Sequence, residues 1–420
     1  MSFDSATWDA TEFDSLLKDY YLGPTQDLLN NKTVLLRRLA RNEEDFGGRQ
    51  IITPLRVSRN EGIGGIGKGG SLPDPGQQGY RNLAFGFQMF YGRAMLPGPD
   101  MAQARSDKFA FMRLMEGELS NLVVDVKHEF NRIVHGDGSG VLAQQVGALA
   151  GDVVTVDNPG GFANPGNGTL YIRPGMTLVG VDSSGASTGN TSAKVLSVDA
   201  AAETVTFATT PTGWANNDFL VRTSRDQIAA PPAIDHGWDN EPFGLAAIIS
   251  DADPQSRSLQ GLAVASNDFW KATVNSNSGV ARSLSLDLLQ QVEDQLDIDA
   301  DAMASLIHSD HFQRRRYLDL LESSKRFVNR LTLDGGFKAL EYNEVPWSVD
   351  KDCTPGRIYF VDEEPINIFQ MSDFFFLDKD GSILHRGDDR DLYQLTLAWY
   401  GEIGTQNRKR GAVILDLVAA

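Results

Sequence analysis

Gly62-x-Gly64-x-x-Gly67 has the spacing of a dinucleotide fingerprint, and Gly62-x-x-x-x-Gly67-Lys68 is nearly a phosphate-binding loop. Both chemistries need a helix directly after the loop, because its N-terminal amides and dipole hold the phosphate. Here Leu72-Pro73-Asp74-Pro75 follows, then a strand pattern, and Gly69 stands where a magnesium-binding hydroxyl would be. The glycines read instead as the mobile tip of a hairpin. His308 and His311, near Asp299, Asp301 and Asp310, could start a metal site. A strand-to-helix junction between them would scatter the side chains, and no third ligand has motif spacing. The expected pair is a strand-end histidine and a solvated helix-start histidine. Asp297-x-Asp299-x-Asp301 begins like a calcium loop, but Ala302 replaces the required glycine and His308 the final glutamate. Cys353 is the sole cysteine, which excludes an intrachain disulfide and a cysteine zinc site, and its surroundings match no nucleophile motif. Arg314-Arg315-Arg316 lies on a helix beside Asp310, Asp319 and Glu322 and reads as a solvated or subunit-contacting face. No catalytic, cofactor-binding or metal residue is assigned; the chain reads as a non-enzyme.

The elements that would position any such residues are more informative. Asp100 to His135 reads as one amphipathic helix, with Phe111, Met115, Leu119, Leu122, Val126, Phe130 and Ile133 on a single face. Pro97 and Pro99 block an earlier start, Asp100 is a natural N-cap, and the Gly136–Gly140 segment ends it. Such a rod would be roughly 50 Å long, so it must lie along something equally extended.

The 420 residues suffice for two or three domains or one elaborated one. A net charge of −18 argues against gripping nucleic acid through a basic surface. The N-terminus carries no signal-peptide pattern, and no apolar run approaches a membrane span. The expectation is a soluble chain folded in a reducing compartment.

Residues 1–46 read as an N-terminal arm, with too few apolar residues for a domain. Residues 47–98 read as an extended hairpin. Ile51, Thr53, Leu55 and Val57 alternate along one leg, and Leu83, Phe85, Phe87, Met89 and Tyr91 along the other. A two-stranded ribbon is marginal alone, so its apolar row calls for a partner surface. Residues 99–147 hold the long helix and the short segment after it. Across 148–223, short strand candidates (Val153–Val156, Leu170–Ile172, Met176–Val181, Lys194–Val198, Thr204–Ala208, Phe219–Arg222) suggest an inserted small β-barrel or sandwich. Residues 224–372 read as α+β around a central sheet. There Leu286–Leu296 and Phe312–Ser323 are helices, and Ala304–His308, Ile358–Val361 and Ile366–Phe369 are strands. Residues 373–420 read as closing strands, with Asp378-Lys379-Asp380-Gly381 as a hairpin turn and Asn407–Gly411 turning the chain into Ala412–Leu417.

This order of parts resembles the major capsid proteins of tailed phages, the Hong Kong 97-type fold. The local pieces that carry the resemblance are Asn131-Arg132-Ile133-Val134-His135-Gly136-Asp137-Gly138-Ser139-Gly140-Val141-Leu142 and Pro242-Phe243-Gly244-Leu245. The resemblance implies an α+β chain with a spine helix, an extended loop, and peripheral and axial domains. It also implies self-assembly as pentamers and hexamers into an icosahedral shell around double-stranded DNA, without sequence-specific binding. The implied location is the virion, after assembly in the host cytoplasm. Implied partners are other copies of the chain, a separate scaffolding protein, a portal and a decoration protein; no membrane and no cofactor are implied. Ile51, Leu55, Val57, Ile63, Ile66, Lys68, Leu83, Phe85, Phe87 and Met89 would then touch a neighbouring subunit. Phe111, Met115, Leu119, Leu122, Val126 and Phe130 would pack the spine. Some members of the family crosslink a ribbon lysine to an asparagine of another subunit; Lys68 sits at the tip here, with no acceptor asparagine or activating carboxylate assigned. The alternative is an encapsulin-type compartment shell of the same fold.

Overall fold

The computed structural model describes residues 34–42, 50–99, 108–163, 166–187, 189–223, 236–254, 257–323, 331–333, 337–378, 385–386 and 391–419. Most of the arm, Asp100 and the Lys379–Leu384 part of the expected closing turn lie outside them.

The amphipathic pattern becomes a helix over Lys108–His135, 28 residues and about 42 Å long. Phe111 and Met115 fall in its first turns, and their side chains lie outside the described set. Leu119 and Leu122 are half-buried, and Val126 and Phe130 are buried. Phe130 is the anchor. Its ring meets Trp399 at 4.8 Å, Phe374 at 5.4 Å and Phe90 at 6.0 Å. These rings stand on a six-stranded sheet ordered Ala40–Asn42, Ile366–Gln370, Leu392–Thr405, Phe375–Phe376, with Gln88–Pro97 and His385–Arg386 also paired to the long Leu392–Thr405 strand. Gly92 sets the approach of helix to sheet: a Cβ there would lie 2.5 Å from Val126 Cγ2.

Ile51–Arg56 pairs with Tyr80–Phe85 in an antiparallel ribbon, joined by an irregular loop. The expected second leg divides at Gly86-Phe87. Its outer part stays in the ribbon, and Gln88–Pro97 pairs along ten residues with the closing strand. Period-two patterning identifies a strand but not its partner. The paired ribbon, six residues to a strand, is therefore only about 20 Å long. Its base is also not free. Leu83 and Phe85 are fully buried in their own chain, and Ile51 and Leu55 pack on the same core. The Phe85 ring lies 4.2 Å from that of Phe369. Leu83 and Phe85 therefore cannot be neighbour contacts, because no surface of either remains to be covered.

Six strands, Val141–Ala150, Val153–Asp157, Thr177–Val181, Ala193–Asp199, Thr204–Phe207 and Phe219–Arg222, close a barrel. Val154, Val156, Leu178, Val195, Phe207, Trp214 and Leu220 fill it. The barrel opens at Val141, ahead of residue 148, and Leu170-Tyr171-Ile172 is a turn rather than a strand.

The expected central sheet is a second, seven-stranded one. Its order is Thr273–Asn275, Ala412–Ile414, Ile358–Val361, Leu306–Ser309, Val345–Val349, Phe337–Tyr342, Leu331–Leu333. Helix Leu286–Ala300 is capped by Ser285, whose Oγ accepts from the Leu288 N–H at 3.1 Å. Helix His311–Ser323 begins where Asp310 Oδ1 accepts from the Gln313 N–H at 2.7 Å. The sheets do not divide at residue 372. Ile366–Gln370 belongs to the six-stranded sheet, while Ala412–Ile414 returns to the seven-stranded one. Among the described residues no helix is long and apolar enough to cross a membrane.

Candidate assembly surface and the polar seam behind it

Beyond the paired part of the ribbon the chain carries apolar side chains in water. Leu72 is 86% exposed, Ile63 75% and Ile66 41%. Met89 and Lys68 are exposed as well, and Val57 and Phe87 are half-buried. No helix follows the glycine tip, and the chain runs irregularly to the strand at Tyr80. Phosphate binding of the type the spacing suggests therefore has no dipole or amide cradle here.

A buried polar seam lies at the C-terminal end of the long helix. Arg132 donates from Nε to Glu129 Oε1 at 2.7 Å and from its second amino group to Glu241. Arg222, on the last barrel strand, reaches Glu129 at 3.3 Å. One guanidinium thus ties the helix to the segment before Pro242-Phe243-Gly244, and Glu129 ties it to the barrel. Burial raises the Glu129 carboxyl, but Arg132 and Arg222 outweigh it and hold it below its ordinary range. For Glu241 burial wins over Arg132, and its carboxyl is raised. The Asn131 side-chain amide donates to Asp350 Oδ1 at 3.0 Å and Asp352 Oδ2 at 2.8 Å. The Tyr171 hydroxyl donates to the Asp352 carbonyl at 2.8 Å, so the barrel meets the same loop.

Glu402, on the closing strand, completes the seam. Its Oε1 accepts from Phe243 N–H at 2.7 Å and Ile403 N–H at 3.1 Å. Burial pushes its carboxyl up to about 7, against the pull of Arg257 and the two amides. The folded chain then holds a proton that the unfolded chain releases from about pH 4.5 upward. Stability is therefore fully favoured below that value and falls as pH rises toward 7, by about 3 kcal/mol. Glu402→Gln keeps the accepting oxygen and removes the charge. Urea unfolding between pH 5 and 8 is expected to show a flatter profile for E402Q, with the variant more stable than the wild type at pH 8.

The residues singled out for chemistry scatter. His308 is buried at a strand end with its Nε2 2.8 Å from His135 Nε2, while His311 is exposed on its helix. The sequence placed His135 only as a helix end; nothing in its spacing tied it to a residue 173 positions away. Asp297 and Asp299 are inside helix Leu286–Ala300 and Asp301 is its left-handed C-cap, so no calcium loop forms there. Among the described residues no group of three or more His, Cys, Asp or Glu is arranged to hold a metal ion. Cys353 is buried, and burial first, then Asp310 and Asp350, push its thiol up, away from nucleophilic chemistry. Arg315 and Arg316 lie over the Phe312 ring at 5.4 and 4.9 Å, on the solvent side of their helix.

The arrangement is similar to a chain of the cyanophage A-1(L) capsid asymmetric unit, with a TM-score of 0.52 and 11% identity over 94% of this chain and 97% of that one. The chain has the capsid fold of tailed phages. At this identity the likeness concerns fold alone. The capsid of a native GTA particle (TM-score 0.49, 9% identity, 99% of this chain and 100% of that) is also similar. So is the holo-SrpI encapsulin of Synechococcus elongatus (0.46, 8% identity, 97% and 95%). No protein-family model matches the sequence, and no curated protein matches it by sequence. Among the described residues the ribbon tip gathers Ile63, Ile66 and Leu72 in one exposed segment, while Leu196, Val280, Ile298, Met303 and Met371 are exposed singly elsewhere.

Proposed function

We propose that this chain is the major capsid protein of a tailed bacteriophage, assembling as pentamers and hexamers into an icosahedral shell that encloses double-stranded DNA. In this reading the ribbon and tip form the extended loop that lies over a neighbouring subunit, and Lys108–His135 is the spine. The six-stranded sheet belongs to the peripheral domain and the seven-stranded sheet to the axial domain. The barrel is an inserted domain on the outer surface. The observation that carries the reading is the pairing of a buried ribbon base with a water-exposed apolar tip. Leu83 and Phe85 fix the ribbon to its own core, while Ile63, Ile66 and Leu72 project from it uncovered. Burial of such side chains is worth roughly 25 cal/mol per Å², so a partner that covers them gains stability. A second copy of the chain is the partner present at every site of a shell. Scaffolding and portal proteins, and a decoration protein, are the further partners this function calls for.

Electron microscopy of the expressed chain, with and without a co-expressed scaffold, tests the reading. Closed shells that protect DNA are the expected result. Shells that carry an enzyme and no DNA would turn it toward the compartment alternative, and a chain that stays monomeric under all assembly conditions would end it.

A further inference from the structure

The His135–His308 contact joins the end of the long helix to the middle strand of the seven-stranded sheet, and its hydrogen bonds fix every proton. His135 Nδ1 is 2.7 Å from the Asn131 carbonyl, which can only accept, so this nitrogen carries the hydrogen. The neutral ring then presents a bare Nε2. His308 Nε2, 2.8 Å away, must donate to it. His308 Nδ1 is left as an acceptor and takes the Ser348 hydroxyl at 2.7 Å. Donation runs one way, from Ser348 through both rings to the helix backbone, with both rings buried and every ring nitrogen used.

We propose that this pair is a proton-operated latch between helix and sheet, closed when it holds at most one extra proton and opened by the second. One added proton is accommodated. His135 becomes doubly protonated, His308 shifts its hydrogen to Nδ1, and the Ser348 hydroxyl turns to the Ile307 carbonyl, 3.4 Å away. The N–H···N bond survives with its direction reversed. A second proton sets N–H against N–H between two cations on rings that are both buried.

The surrounding charges leave this logic intact. On the helix, Arg132 is engaged by Glu129 and Glu241. Asp350 and Asp352 bond the Asn131 amide. On the neighbouring strand Tyr359 pairs opposite His308, with Arg357 and Asp137 acting on it from beyond. Asp310 ends the His308 strand, where its carboxyl accepts from the Gln313 amide, and Cys353 lies in the loop after Asp350. Burial, followed by His135, holds His308 well below the usual histidine range. The open pair thus takes, below about pH 6.5, a second proton that the closed latch refuses, and closure weakens as pH falls.

Hydrogen exchange of the full chain between pH 7.5 and 5, corrected for intrinsic rates, tests the latch. In the wild type, protection of peptides covering 126–140 and 304–312 is expected to fall by up to about tenfold per pH unit below pH 6. H135Q and H308Q keep hydrogen-bonding groups without titrating there, and are expected to flatten that fall. Equal slopes in wild type and variants overturn the proposal. Should neither variant fold, the wild-type profile decides alone. A fall confined to these peptides supports the latch, and a flat or chain-wide profile overturns it. The outcome does not depend on whether the chain builds a shell.

Discussion

Replacing Arg408 by methionine is expected to destabilise the chain by roughly 3–5 kcal/mol. The guanidinium is 1% exposed and spends its hydrogens on backbone carbonyls. Nε donates to Ile248 at 3.0 Å, one amino group to Trp270 at 3.1 Å, and the other to Ala247 at 2.8 Å and Ala252 at 2.7 Å. Ala247 and Ile248 end the short helix Leu245–Ile248, whose last carbonyls have no intrahelical partner. Burial lowers the guanidinium to about 10, with Asp253 and Asp251 opposing, so it stays charged at neutral pH. Methionine fills comparable volume but leaves four acceptors unpaired, most of them away from water. Lysine would recover only part of the loss, since a compact ammonium cannot reproduce the planar fork. Urea midpoints measured on unassembled chain check both: R408K should fall between wild type and R408M. A methionine variant within about 0.5 kcal/mol of wild type would mean that water already serves these carbonyls.

Arg408 also marks where the sequence ran out. Asn407–Gly411 read correctly as a turn, and a basic turn is normally a solvated one. Nothing local announces that one of its arginines turns inward to cap a helix 160 residues earlier in the chain. The long helix was legible for the opposite reason. Leu119, Leu122, Val126, Phe130 and Ile133 repeat at helical spacing, and that period is a property of the segment itself. The barrel was legible through its short strands, but Val141–Ala150 was missed because Gln144-Gln145-Val146-Gly147 has no clear alternation. The ribbon shows both cases. Its alternating rows predicted strands, while the change of partner at Gly86-Phe87 depends on Leu392–Thr405, about 300 residues away. The polar seam was the least legible part. Arg132, Glu241 and Glu402 come from separate elements, and charged residues are expected outside unless a fold pairs them. The ribbon's apolar row was legible as a row, but nothing local told that Leu83 and Phe85 within it belong to the chain's own core.

That division of the ribbon separates folding from assembly. Ile63→Ser, Ile66→Ser and Leu72→Ser together are expected to leave the isolated chain's unfolding midpoint within about 0.5 kcal/mol of wild type, because side chains already in water lose little on becoming polar. Assembly is expected to fail. Full burial of each such side chain is worth about 1.5–3 kcal/mol, and the loss recurs at every copy in a closed shell. Leu83→Ser should behave in the opposite way, unfolding the chain before any effect on assembly can be read. Charge adds a second handle. Arg56, Arg59, Lys68 and Arg81 outnumber Glu61 and Asp74 on the ribbon, although the chain as a whole carries −18. A basic lever approaching an acidic neighbour should associate faster at low salt, so K68E with R59E is expected to slow assembly at low ionic strength and much less at high. Light scattering during assembly would record both effects. Wild-type yields of shell from the triple serine variant would mean that the tip serves some other contact, and that the copies meet through the sheets instead.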